Sequence, residues 1–236
     1  MKNRIWELDA FRGLCILCMV AVHAIYDLVE LYRIVDWRYP ALFSFVKDWG
    51  GVLFLLLSGI CVTLGSRHIR RGLLVICCGL LVNLVTVGMY LLGFADRGII
   101  IYFGVLHCLG CCMVLWHPVR KMPTWALALL GAVLAGIGLW LRGQHFSFPW
   151  LIPLGLTPPS FVSSDYFPLM PYFGFFLLGA VLGRTVYRDR QTRFPRVSPE
   201  NALVRCFTWM GRQSLLIYLL HQPLLTVVMM GLMAIK

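Results

Sequence analysis

The chain has 236 residues, of which 60% are hydrophobic and 13% charged, and its formal net charge is +11. A soluble domain carries about 45–50% apolar residues and roughly a quarter charged. The composition therefore excludes a solvated α/β enzyme, a secreted domain, a coiled coil and a disordered chain, and the Lys and Arg at the ends of apolar runs read as membrane topology, not as a nucleic-acid footprint.

A bilayer core of about 30 Å is crossed by about 20 helical residues. Seven stretches have that character: residues 13–31, 50–64, 72–94, 99–116, 124–141, 167–183 and 214–235. Their apolarity is continuous, not alternating, which excludes an outer-membrane barrel. The expected fold is all-α, a polytopic membrane protein of about seven transmembrane helices forming one domain over residues 1–236. No cleavable leader is expected, because the first run follows Glu7 and Asp9 and no small-residue cleavage site closes it.

With the N-terminus inside, 15 of the Lys and Arg residues fall on the cytoplasmic side, among them Lys2, Arg4, Arg12, Arg67, Arg70, Arg71 and Arg212. The other side holds 6: Arg33, Arg38, Lys47, Arg97, Arg142 and Lys236. This asymmetry predicts a cytoplasmic N-terminus and an extracytoplasmic C-terminus. Two connections are long. Residues 187–212 are basic, contain Pro195 and Pro199, and fall inside. Residues 142–166 fall outside, with Pro149, Pro153, Pro158 and Pro159 interrupting Phe146, Phe148, Trp150, Leu151 and Ile152. So apolar a segment is expected to be a re-entrant or interfacial cover over an outward cavity.

The nine cysteines, all but Cys206 inside candidate spans, make no disulfide framework. Cys15-x-x-Cys18 and Cys108-x-x-Cys111 lack the strand–turn setting of a metal or redox motif, so no metal site is expected.

Polar groups within spans are costly and carry a functional question. At helical rise, His23 lies about 15 Å and His221 about 10 Å from the inner side, and His107 about 12 Å from the outer side. One such histidine is most often a satisfied packing residue; three at compatible depth point to convergence on an interior site. Asp27 follows His23 at i+4 on the same helix face. It either holds that imidazole in one tautomer or faces outer water at the helix end, with Asp48 a competing partner. Asp9 and Arg12 are spaced to pair. Arg12 beside Gly13 suits a phosphate as well as a snorkelling anchor, and Arg67, Arg70, Arg71 and Arg212 border the same face. Pro223 removes a donor mid-helix, so the last span is expected to kink beside His221.

The motifs Arg4…Asp9-x-x-Arg12-Gly13 with Met19-x-x-x-His23, Phe54-Leu-Leu-Leu-Ser-Gly-Ile60 and Phe103-Gly-Val-Leu-His-Cys-Leu-Gly110 follow one another along the chain. After them come Asp165-Tyr-Phe-Pro-Leu-Met-Pro171 with Leu178-Gly179, and Gly211-Arg-Gln-Ser-Leu-Leu-Ile-Tyr-Leu-Leu-His-Gln-Pro223. In this order they resemble the heparan-α-glucosaminide N-acetyltransferase catalytic-domain family, which includes bacterial membrane members. A wider group of transmembrane acyltransferases has similar Arg…His patterns in the first helix, and His23 looks like the equivalent residue. The resemblance implies a multi-span enzyme that takes an acetyl group from cytosolic acetyl-CoA. It passes that group through the membrane to an amine or hydroxyl of an extracytoplasmic acceptor, a glycan or amino sugar. The lysosomal relative has further spans and a lumenal portion, so this chain is expected to correspond to the bacterial core, in a bacterial plasma membrane. That relative's active-site histidine lies in the outer connection after the first helix. Residues 24–48 hold none here, which moves the base to an intramembrane residue.

The expected mechanism is acyl transfer in a tunnel open to both sides. Arg12, Arg70, Arg71 or Arg212 meets the acetyl-CoA phosphates, His23 oriented by Asp27 is the base, and His107 and His221 line the reaction centre, donating to the thioester carbonyl or positioning the acceptor. Two other classes use the same features: a transporter or flippase of an anionic lipid or sugar, and a haem protein with two of the histidines as axial ligands. Small-residue faces such as Gly131, Ala135 and Gly138 suit internal packing and a homo-oligomer equally.

Overall fold

The computed structural model of the chain describes residues 5–144, 146 and 149–235. Lys2, Arg4, Phe148 and Lys236, which entered the expectations above, lie outside the described residues. Among those described there are eight α-helices: α1 Trp6–Tyr26, α2 Ala41–Leu64, α3 His68–Leu91, α4 Val105–Val119, α5 Thr124–Trp140, α6 Leu169–Thr185, α7 Ala202–Arg212 and α8 Ser214–Ile235. The first continues as a π-helical turn, Asp27–Leu31, and short 3-10 turns occupy Arg97–Ile99 and Pro149–Leu154. Four helices, α1 with its π turn, α2, α3 and α8, are long and apolar enough to cross a membrane, while α4, α5 and α6 are shorter apolar helices. The protein is all-α and integral to a membrane.

Each expected apolar stretch contains one helix, but three boundaries move. α1 begins at Trp6, seven residues before the expected start, because its acidic first turn is neutralised locally. Buried Glu7 accepts hydrogen bonds from Thr192 Oγ1 at 2.9 Å and the Arg193 backbone N–H at 2.7 Å, and Asp9 pairs with Arg12 at 3.0 Å. α2 begins at Ala41, directly after Pro40. α4 begins only at Val105, since residues 97–104 form a 3-10 turn and an extended piece instead of helix. The eighth helix, α7, lies within the basic connection of residues 187–212. Its Asn201 side chain accepts from the Leu203 N–H at 3.0 Å, an N-cap visible in the sequence, but 11 residues are too few to register as a span.

The chain divides into two compact units, the first from residues 1–54 and 189–236, the second from residues 55–188. In the first, α1 packs along α7 and also against α8. The α1–α7 approach depends on two glycines. A β-carbon on Gly13 would run into the Phe207 carbonyl, and one on Gly211 into the Asp9 carbonyl. Small residues that let backbones meet are how membrane helices associate without a hydrophobic driving force.

In the second unit α5 packs on α6 and α3 on α4. Leu55, Cys108, Cys112, Leu127, Phe176, Leu177 and Ala180 are fully enclosed. At one end Arg184 of α6 donates to the carbonyls of Met122 (2.7 Å) and Arg120, and lies 5.2 Å from the Trp116 ring centroid. At the other, the connection before α6 is stitched to the entrance of α4. Phe103 and Tyr166 form a parallel bridge and the Phe167 N–H donates to the Phe103 carbonyl at 2.9 Å. Ser163 donates to the Ile100 carbonyl at 2.9 Å and Ser164 to that of Gly98 at 2.7 Å. The Tyr166 hydroxyl donates to the Ile152 carbonyl at 2.6 Å, and burial pushes its phenol above the ordinary value, so it stays a donor.

Candidate functional site

Within the first unit the structure brings together His23 of α1 and His221 of α8. Their ring centroids are 4.9 Å apart and the planes meet at 79°, edge to face. His23 Nδ1 lies 2.9 Å from the Met19 carbonyl oxygen and His221 Nδ1 2.5 Å from that of Tyr218. A carbonyl only accepts, so each Nδ1 carries the proton and, in the neutral ring, each Nε2 carries the lone pair. His221 is 8% exposed, and its Nε2 is buried with no partner. A buried acceptor left unmatched costs stability. It is also free to take a hydrogen from a ligand. The edge contact leaves no room for a porphyrin between these two rings.

Two details of the expected arrangement change. The tautomer of His23 is held by its own helix, through the Met19 carbonyl, and not by Asp27. Asp27 is only 2% exposed, so it does not face outer water, and its Oδ2 accepts from Gln222 Nε2 of α8 at 3.0 Å. In addition, a neutral His221 protonated on Nδ1 has no N–H left on Nε2, so of its two expected roles that atom suits positioning the acceptor and not donation to the thioester carbonyl. Asp48, the competing partner, is exposed on α2.

The irregular backbone at this place belongs to α1. The helix changes to a π turn at Asp27, while α8 runs as continuous helix through Pro223 and packs against that π turn. Widened turns of this kind recur at functional positions because they re-aim one side chain without ending the helix. Gln222 is the residue sequence reasoning left without a role. Its position next to His221 inside an apolar helix was the available signal, and its Oε1 is buried without a partner.

The arginines fall into two groups. In the first unit a single carboxylate, Asp9, holds Arg12 of α1 at 3.0 Å and lies 3.7 Å from Arg212 Nε of α7. Arg212 keeps half of its side chain exposed. This is a preassembled pair of guanidinium groups suited to an oxyanion. Arg70 and Arg71 are exposed residues of the first turn of α3, in the second unit.

His107 also belongs to the second unit. It is the third residue of α4, not the ninth of a longer span, because the helix starts six residues later than expected. The ring is 7% exposed, packs on Gly79 of α3, and stacks with Phe103 at 5.6 Å. Its Nδ1 is buried without a partner. The turn that carries it is capped from a distance in sequence: Asp165 Oδ2 accepts from the Val105 N–H at 3.0 Å. Gly104 makes room for that carboxylate, since a β-carbon there would collide with it. Asp165, the first residue of one of the motifs, therefore caps α4. The CxxC cysteines are free thiols.

Residues 4–223 match the model of the family described as heparan-alpha-glucosaminide N-acetyltransferase, catalytic. No curated protein and no solved structure matches the chain.

Proposed function

The chain belongs to the heparan-alpha-glucosaminide N-acetyltransferase catalytic family, and from that premise we propose that it moves an acetyl group from cytosolic acetyl-CoA to an amine or hydroxyl of an acceptor on the opposite side of a bacterial plasma membrane. Family membership implies acetyltransferase activity; the direction of transfer, the acceptor class and the residues in their roles are this proposal's own. The acceptor is a glycan or amino sugar.

Arg12 and Arg212, gathered by Asp9, hold phosphate oxygens of acetyl-CoA. The acceptor surrenders a proton to Nε2 of His23 as its nitrogen or oxygen attacks the acetyl carbonyl. The carbon–sulfur bond breaks as the new bond forms, and the CoA sulfur leaves as thiolate and takes up a proton. His221 Nε2 is a second acceptor in edge contact with the first ring, placed to hold the acceptor's hydrogen or relay it. A base so positioned supplies about 10²–10⁴-fold, and alignment of the reactants must provide much of the rest.

The observation that carries this reading is the meeting of imidazoles from the first and last membrane helices, each with Nδ1 occupied by its own backbone. The test uses sealed proteoliposomes with labelled acetyl-CoA on one side and glucosamine on the other. Acetylated glucosamine in the far compartment is expected. Glucosamine that crosses unmodified, with acetyl-CoA intact, would instead make the protein a transporter. A single turnover without acceptor separates direct transfer from an acetyl-histidine intermediate, which would retain label on the protein.

A further inference from the structure

In the first unit, α7 and the basic connection before it leave apolar side chains open among arginines. Residues 189–212 carry five arginines against two carboxylates, and one of those carboxylates, Asp189, is taken by Arg193 at 2.8 Å. Arg190, Arg196 and Arg205 are exposed, and none of the salt bridges among the described residues involves them. Interleaved with them, Phe194, Val197, Leu203 and Trp209 are exposed too, Leu203 at 70% and Trp209 at 60%. On α7 the residues sort by face. Thr208 and Gly211 are buried, Gly211 against the backbone of α1. Ala202, Cys206 and Trp209 follow one another at helical spacing on the opposite, exposed side, with Leu203 beside them and Arg205 one turn before Trp209.

The neighbouring helix fixes where this face lies. Gln213 alone separates α7 from α8, and the hydrogen-bond ladder runs through it. Its N–H donates to the Trp209 carbonyl at 3.0 Å, and its carbonyl accepts from the Ile217 N–H at 2.9 Å. α8 is long and apolar enough to cross a membrane. The 11 residues of α7 reach about 16 Å, so the whole helix stays close to the end of that span.

We propose that α7 and the connection before it are a docking surface for anionic phospholipids of the surrounding bilayer. Leu203 and Trp209 enter the boundary between headgroups and acyl chains, and Arg190, Arg196 and Arg205 pair with lipid phosphates. Charge asymmetry accounts for the side on which these arginines fall. It does not account for a leucine and a tryptophan left open among them. A helix with an apolar face and flanking arginines holds a membrane surface by buried apolar area together with attraction to anionic lipid. The guanidinium groups keep their hydration there, because their long stems lie along apolar surface while the charge stays at headgroup level. This inference goes beyond acetyl transfer and does not depend on it.

Fluorescence quenching of the full chain in nanodiscs, without acetyl-CoA, tests it. The discs are phosphatidylcholine with the same small fraction of brominated phosphatidylglycerol or of brominated phosphatidylcholine, the bromines on acyl carbons near the headgroup. Trp209→Phe separates the Trp209 signal from those of the other tryptophans. Brominated phosphatidylglycerol is expected to quench Trp209 at least about threefold more than brominated phosphatidylcholine, and the excess should shrink as salt is raised. With Arg190→Gln, Arg196→Gln and Arg205→Gln combined, the two lipids should quench alike. If that variant does not fold, Arg190→Gln with Arg196→Gln, both in the connection, serves and should lose most of the excess. Equal quenching by the two lipids in the wild type would make Trp209 an ordinary aromatic anchor and overturn the proposal. It is also overturned if neither lipid quenches Trp209, which would place that ring against water or protein, or if the excess survives loss of the arginines.

Discussion

The contact of α1 with α8 and the entrance of α4 handle polar groups in opposite ways. At the entrance of α4, side chains spend their hydrogen bonds on backbone: Asp165 on the Val105 N–H, Ser163 on the Ile100 carbonyl, Ser164 on that of Gly98. These bonds fix the shape of a connection and the start of a helix. Between α1 and α8 the backbone is satisfied first, by Nδ1 of each histidine, and acceptor atoms are left over: His221 Nε2 and Gln222 Oε1. Buried polar atoms are nearly always matched, so those left unmatched mark places where structure was not the only demand. His107 Nδ1 is the exception on the other side, an unmatched atom among matched ones.

The largest test of this contrast is removal of an imidazole from the contact of α1 with α8. His23→Ala is expected to lower acetyl transfer by about 100-fold or more while the protein still elutes as a folded species in detergent. Near-wild-type turnover would remove His23 as the base. Next in size is the support beneath the pair. Gly211→Val puts a side chain against the Asp9 carbonyl and should cost about 1–3 kcal/mol, read as lost folded yield or a lower unfolding midpoint. No loss would mean that α1 and α7 do not approach as closely as described.

The Asp27–Gln222 bond sharpens the same comparison from the chemical side. Gln222→Leu leaves a nearly inaccessible carboxyl group without its hydrogen-bond donor, with an expected cost of about 1–3 kcal/mol and reduced transfer. Unchanged stability would show that this carboxyl group finds another donor. Smallest is the structural region. Asp165→Ala removes the cap of α4, worth about 1 kcal/mol, and should lower Tm by about 2–4 °C with transfer kept within a few-fold. A loss of activity on the scale of His23→Ala would show that the α4 entrance is catalytic as well.

Much of the fold was legible because lipid is a strict solvent. A run such as residues 72–94 admits few alternatives once its length and apolarity are known, and α3 occupies it. What escaped was short or non-local. α7 lies on α1 where Gly13 and Gly211 let the two backbones meet, a contact made by residues far apart in sequence. Depth counted along a run misplaced His107 within its helix, because residues 99–104 are apolar yet extended and paired to the chain around Tyr166. At the site, their depth as polar groups within apolar spans singled out His23 and His221, and geometry joined them. The roles of Met19 and Tyr218 had no sequence signal, since their backbone carbonyls do the work. Asp27 was expected to serve His23 by helical spacing alone, but the π turn redirects it to Gln222.

A double-mutant cycle on acetyl transfer tests the central claim most directly, comparing wild type, His23→Ala, His221→Ala and the double variant in proteoliposomes. Residues that act as one unit give losses far from multiplicative. The double variant is therefore predicted to be about as slow as the slower single variant. Losses that multiply, or a His221→Ala enzyme that turns over like wild type, would contradict the pairing of the two imidazoles in one chemical step.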